Sequence, residues 1–277
     1  MINSPMHNKI HVFSGLKRTG DEHKFPSTSY IREEILLKGY CIIPDQISPN
    51  TINKCREELD TLSILEQQNF GLDNLMAIND KGVIRSPFLK SKVIREICFT
   101  GVVFDILTEI FHEQYILHVN RAVVNSPEET HPATAWHREP PYMNFTTSMP
   151  ISLTFIHTID PSTYSNGGIS ILHGSHSQEI FPSEEFVKLN AITPEIQEGA
   201  LLVFNSALFH CGGKNISGEI RRSLVTIYTS PLLKQQVNIP QMIRDQKLEH
   251  IIDEVPRGNF TLGFDTEVQN SDFEYRN

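Results

Sequence analysis

The sequence lacks paired cysteines, long apolar runs and any excess of positive charge, and each absence removes a class of function. Its four cysteines, Cys41, Cys55, Cys98 and Cys211, are scattered and form no CxxC pair. That argues against a disulfide frame or a zinc knuckle and for reduced, packed thiols in a cytoplasmic protein. The longest apolar stretches, such as Gly101 to Phe104 and Ala200 to Phe204, fall far short of the roughly 20 residues a membrane-spanning helix needs. No basic segment followed by an apolar block opens the chain, so a secretory signal is not expected. The Asn-x-Ser/Thr sequences at Asn144, Asn215 and Asn259 then carry little meaning. Acidic side chains outnumber basic ones by 33 to 24, for a formal charge of −9. A nucleic-acid partner is therefore not expected, because phosphate binding needs a basic face that releases counterions. Also missing are internal repeats, low-complexity tracts, a Ser-His-Asp order, a phosphate-binding glycine loop and a dinucleotide fingerprint. With no linker signal, the 277 residues are expected to form one domain.

What is present divides the chain. The first part, residues 1–114, is mainly helical in pattern. A helix is expected from about Tyr30 to Lys38, ended by Gly39 and followed by a short strand, Tyr40 to Ile43. Ser48 and Pro49 start a second helix, with Ile52, Cys55, Leu59 and Leu62 at helical spacing. A third helical region spans about Lys92 to Phe111, broken near Gly101. Over residues 115–230 the pattern changes to YILHVNRAVV, ISLTFIHTI, GGISIL, ALLVF and RRSLVTIYT, rich in β-branched and aromatic residues and bounded by turn signals. Strands following strands argue for an antiparallel sandwich or barrel. Residues 231–277 return to helix around Gln241 to Asp253 and end in a polar, loop-like tail.

Twelve histidines raise the question of which converge. His137 and Glu139 are two residues apart, and on a strand i and i+2 project from the same face, within reach of one metal ion. Alone this means nothing, since a chain of this composition holds about one such pair by chance, and this one holds one. The segment from Glu198 to Tyr228 adds weight. His210 closes an apolar strand at a Cys-Gly-Gly turn, and the following strand places Arg221 and Ser223 on one face. An interior guanidinium must be paired, and a ligand carboxylate would satisfy it, with Ser223 as a further donor. Two histidines and one carboxylate leave three metal positions open, the facial triad of non-haem iron(II) oxygenases.

The ordered motifs WHRE at Trp136 to Glu139, SNGGISILHGSH at Ser165 to His176, and EGALLVFNSALFHCGGKNISGEIRRSLVTIYT at Glu198 to Thr229 resemble the phytanoyl-CoA dioxygenase (PhyH) family of iron(II)- and 2-oxoglutarate-dependent oxygenases. The resemblance implies a mainly β fold with flanking helices, a double-stranded β-helix of the jelly-roll kind under a helical N-terminal layer. It implies His137, Glu139 and His210 as iron ligands, with Arg221 and Ser223 anchoring the far carboxylate of 2-oxoglutarate. Phe155 falls where the family often has an aromatic beside the cosubstrate. The implied activity is dioxygenase oxidation, most simply hydroxylation, of a small-molecule metabolite, with succinate and carbon dioxide as co-products. Most of the family has aspartate at the position of Glu139. Glutamate keeps the charge but moves the carboxylate outward by one bond, ~1.5 Å, so altered geometry is expected.

Other conspicuous residues are expected to be structural: His173 and His176 around the Gly174-Ser175 turn, Cys211 pointing away from the metal, Arg222 salt-bridged, and His157 in the core or a pocket wall. Pro140, Pro141, Tyr142, Asn144 and the Lys81 to Lys90 loop are candidates for the cavity mouth. Two other readings of the same residues stand beside the oxygenase: a metal- or carboxylate-binding jelly roll without turnover, and a cupin-like metal isomerase or hydrolase.

Overall fold

The structure is a computed structural model describing residues 26–127, 134–141 and 145–266. In chain order the helices are α1 (Thr28–Lys38), α2 (Pro49–Phe70), α3 (Leu72–Ala77), α4 (Lys92–Cys98), α5 (Gly101–Phe111), α6 (Glu184–Asn190), α7 (Ile239–Gln246), α8 (Ile251–Glu254) and α9 (Gly258–Thr261). The strands are β1 (Tyr40–Ile43), β2 (Val83–Arg85), β3 (Ile116–Asn125), β4 (Ser152–Thr158), β5 (Ile169–Leu172), β6 (Ala191–Ile192), β7 (Leu201–Asn205), β8 (His210–Gly212) and β9 (Arg221–Thr229).

The boundaries follow local chemistry. Ser48 caps α2 by accepting from the Thr51 N–H at 3.2 Å, with Pro49 in the first turn, and Ile52, Cys55, Leu59 and Leu62 are buried as their spacing predicts. Gly39 ends α1 at φ 94°, and a side chain there would collide with His176 and Leu208, each 2.6 Å from a Cβ. The break near Gly101 separates α4 from α5. The expected C-terminal helix is instead two, because Lys247 adopts φ 55° and its N–H turns back to Arg244 O and Ile243 O.

The strands form two antiparallel sheets, β1-β7-β4-β9-β3-β2 and β6-β5-β8. The smaller is extended by an antiparallel bridge between His137 and His210. The first part of the chain thus supplies more than a helical layer, since β1 and β2 form the two edges of the larger sheet, paired to β7 and β3. One face of that sheet carries Leu117, Leu153, Phe155, Leu201, Val203, Leu224 and Tyr228, packed against Ile35, Leu59, Ile94, Val103 and Leu107 of the helices. The opposite face, including Ile156 and Leu202, looks toward Ile171 and Ile196 of the smaller-sheet side. The result is a jelly-roll core with helices on one side and an internal cavity between the sheets. Among the described residues no helix is long and apolar enough to cross a membrane.

Candidate active site

The site begins with a backbone pairing. His137 and His210 exchange both main-chain hydrogen bonds, N to O at 2.9 Å in each direction, which sets their rings with centroids 4.3 Å apart. Two residues on, the Glu139 N–H donates to Ser206 O at 2.8 Å. The extended alternation turns His137 and Glu139 inward. Trp136 packs instead against Phe181 at 6.1 Å, and the Arg138 guanidinium lies 3.9 Å above the Phe209 ring. The candidate ligand atoms of His137, Glu139 and His210 all lie within 4.8 Å of one another, and His137 Nε2 is 3.8 Å from Glu139 Oε1.

The hydrogen bonds and charges around the cluster suit a cation. His137 Nδ1 is 2.8 Å from Ala135 O and His210 Nδ1 is 2.9 Å from Leu208 O. A carbonyl can only accept, so each Nδ1 donates, which in a neutral ring leaves the lone pair on Nε2. Burial, reinforced by neighbouring His137, presses His210 down to about 3, so it is neutral at physiological pH. Burial would raise the Glu139 carboxyl, but the Arg121 guanidinium, with His210 and His137, outweighs it and holds the group below the usual carboxylate range. Two neutral imidazoles and one carboxylate are what a divalent cation requires.

These side chains line a cavity of about 370 Å³ that Arg221 and Ser223 also line. Arg221, only 8% exposed, donates from Nε to Asn166 O at 3.2 Å and makes no ion pair with any described residue. Burial lowers it to about 10, with Asp160 opposing, so it stays a cation. A buried guanidinium without a carboxylate, open to a cavity, fits an anionic ligand.

Phe155 requires a correction. It is fully buried in the helix-facing core, 5.8 Å from the Tyr228 ring, while Thr154, Ile156 and Thr158 of the same strand line the cavity. Strand alternation puts Phe155 on the wrong face to touch a cosubstrate. His157, on that face too, has no partner for either ring nitrogen among the described residues. His176 Nε2 is 3.1 Å from Leu36 O at the end of α1, and His173 meets the Tyr40 ring edge-on at 6.1 Å. Neither joins the cluster. Burial raises the Cys211 thiol to about 11, and Cys211 does not line the cavity. Arg222 bridges Asp60 and Asp160, which also holds Arg56, fastening α2 to the sheet. Of the residues expected at the mouth, Val83, Arg85, Ser86 and Pro141 line the cavity, whereas Tyr142 and Asn144 lie outside the described residues. The residue missed by sequence reasoning is Arg121 of β3, which lines the cavity and donates from Nη2 to Glu139 Oε1.

Fold and site together define a double-stranded β-helix protein with a two-histidine, one-carboxylate cluster. The phytanoyl-CoA dioxygenase (PhyH) family matches residues 36–223, and the chain belongs to that family of iron(II)- and 2-oxoglutarate-dependent oxygenases. It is 22% identical over 254 residues to the uncharacterized protein Rv1501 of Mycobacterium tuberculosis, covering 90% of this chain and 91% of that one. It is 25% identical over 204 residues to the iron/alpha-ketoglutarate-dependent dioxygenase ausU of Aspergillus calidoustus, covering 69% and 67%. Among solved structures, its fold is similar to that of the non-heme alpha-ketoglutarate-dependent epimerase SnoN from nogalamycin biosynthesis, with a TM-score of 0.55, 15% identity, and 74% and 83% of the chains covered.

Proposed function

We propose that this chain hydroxylates a small-molecule metabolite, consuming 2-oxoglutarate and dioxygen and releasing succinate and carbon dioxide. The observation that carries the reading is that His137, Glu139 and His210 converge within 4.8 Å in the same cavity that receives the buried Arg221, which has no ion-pair partner among the described residues. The donor set fits iron(II): two imidazole nitrogens with free lone pairs and one carboxylate.

Bound iron and 2-oxoglutarate supply the oxidising power. The chain supplies everything else. His137 and His210 are oriented by the carbonyls of Ala135 and Leu208, and Glu139 is kept anionic by Arg121. Arg221 and Ser223 present a guanidinium and a hydroxyl to the far carboxylate, fixing the cosubstrate's direction in the cavity. Apolar walls such as Val119, Ile156, Leu202 and Val225 keep bulk water from the reacting centre. A volume of about 370 Å³ is near the lower end of ~300–1,000 Å³ for small-molecule sites. Since 2-oxoglutarate must share it, a small free metabolite suits the space better than a carrier thioester.

The test is anaerobic loading with iron(II) and 2-oxoglutarate. Wild-type protein should show the visible charge-transfer band of the metal–2-oxoglutarate chelate, and a His210→Ala variant should not. Iron bound without the band would overturn the cosubstrate assignment. Succinate release in air, screened over small metabolites and matched by a product one oxygen heavier, would then identify the substrate and establish hydroxylation.

A further inference from the structure

Glu139 is one methylene longer than aspartate, so its carboxylate has an additional rotatable bond to be fixed. Its main chain is held by Ser206 O, but that leaves the side chain free. The side-chain hydrogen bond to Glu139 among the described residues comes from Arg121 Nη2 and goes to Oε1, the oxygen 3.8 Å from His137 Nε2. Oε2 receives no hydrogen bond from any described residue. Arg121 has no other ion-pair partner among them. Directly opposite it across β2 and β3 stands Arg85, a like charge. Asp80 holds Arg85 through both Nε, at 2.5 Å, and Nη2, at 2.8 Å, so each arginine has its own acid.

We infer that Arg121 is a positioning residue: its guanidinium grips Oε1 of the over-long Glu139 side chain and so holds the carboxylate turned toward His137, where a metal ion would bind. The inference rests on the metal site proposed above. The physics sets two effects of Arg121 against each other. As a nearby positive charge it repels a divalent cation, so its removal should tighten binding. As a clamp it removes the rotational freedom of the ligand, and loss of such an outer partner costs ~10–100-fold in metal affinity. The clamp is expected to win because Glu139 is buried, at 4% exposure, and has no other described donor to orient it.

Cobalt(II) alone, without 2-oxoglutarate or substrate, is the probe, titrated by its visible d–d absorption. Arg121→Met should bind about 10–100-fold more weakly than wild type and show altered band positions. Arg121→Lys keeps the charge but loses the fork, and should recover only part of the affinity. Equal or tighter cobalt binding by Arg121→Met would overturn the inference while leaving the metal site intact. Wild-type protein that binds no cobalt would sink both. Should Arg121→Met fail to fold, Arg121→Lys decides: wild-type affinity and spectrum there would show that charge alone suffices.

Discussion

His137 and His210 are joined as backbone partners before they are partners in chemistry, with reciprocal hydrogen bonds of 2.9 Å. The spacing of the two imidazoles is thus a property of the sheet and needs no metal to form it. We predict that stripping metal with a chelator leaves the far-ultraviolet circular dichroism unchanged. Restoring a divalent metal to 100 times its Kd should stabilise the wild-type protein by about 2.7 kcal/mol. His210→Ala should keep the fold, since its main chain still pairs, and gain no stability from the same metal. Unfolding on chelation would contradict a preformed site.

Among the described residues the Arg221 side chain reaches no carboxylate and makes one hydrogen bond, to Asn166 O. Its remaining donors are open to the proposed cosubstrate. Hydrogen bonds to charged groups contribute about 1.5–3 kcal/mol, so Arg221→Gln should raise the KM for 2-oxoglutarate by at least about tenfold, leaving cobalt(II) affinity near wild type. An unchanged KM would remove Arg221 from the cosubstrate site.

The legibility of the site follows the range of its interactions. His137, Glu139 and His210 stood out because the His-x-Glu spacing and the strand-ending histidine are local patterns. The carbonyls that orient the rings, Ala135 O and Leu208 O, depend on main-chain shape and were invisible. Arg121 was passed over because its acid belongs to another segment. Phe155 was misassigned for a different reason. Strand β4 is buried on both faces, apart from the half-buried Ile156, so no alternation of polar and apolar residues shows which parity faces the cavity. The helices were legible from caps and periodicity, whereas the docking of β1 and β2 on opposite edges of one sheet depends on long-range pairing.

Phe155 now separates a core role from a cosubstrate role by experiment. It packs with Tyr228 among the helix-facing residues and is 0% exposed, and truncating a buried phenylalanine costs about 3–5 kcal/mol. Phe155→Ala should lower stability by about that much in urea unfolding, and the milder Phe155→Leu should leave the KM for 2-oxoglutarate unchanged. A selective rise in KM in Phe155→Leu, at near-native stability, would return Phe155 to the cosubstrate site.

His157 provides a prediction about pH. It lies between Leu201 and Leu224 on the neighbouring strands, and neither ring nitrogen has a partner among the described residues. Burial lowers it to about 4, against about 6.5 in an unfolded chain. Because the folded value is the lower one, the unfolded state binds the proton first. The stability is therefore whole above pH 6.5 and drains away as pH falls from about 6.5 to about 4. At 1.36 kcal/mol per pKa unit the loss approaches ~3 kcal/mol. His157→Leu removes both the proton site and the unsatisfied nitrogens, so it should melt higher than wild type at pH 7 and show a shallower decline between pH 6.5 and 4. Part of the decline will survive, because His210 is lowered by burial in the same sense. Stability curves for the two proteins, measured by urea unfolding at half-unit pH steps, should diverge as the solution is acidified. Parallel curves would mean that His157 is hydrated or paired in solution and that acid lability arises elsewhere.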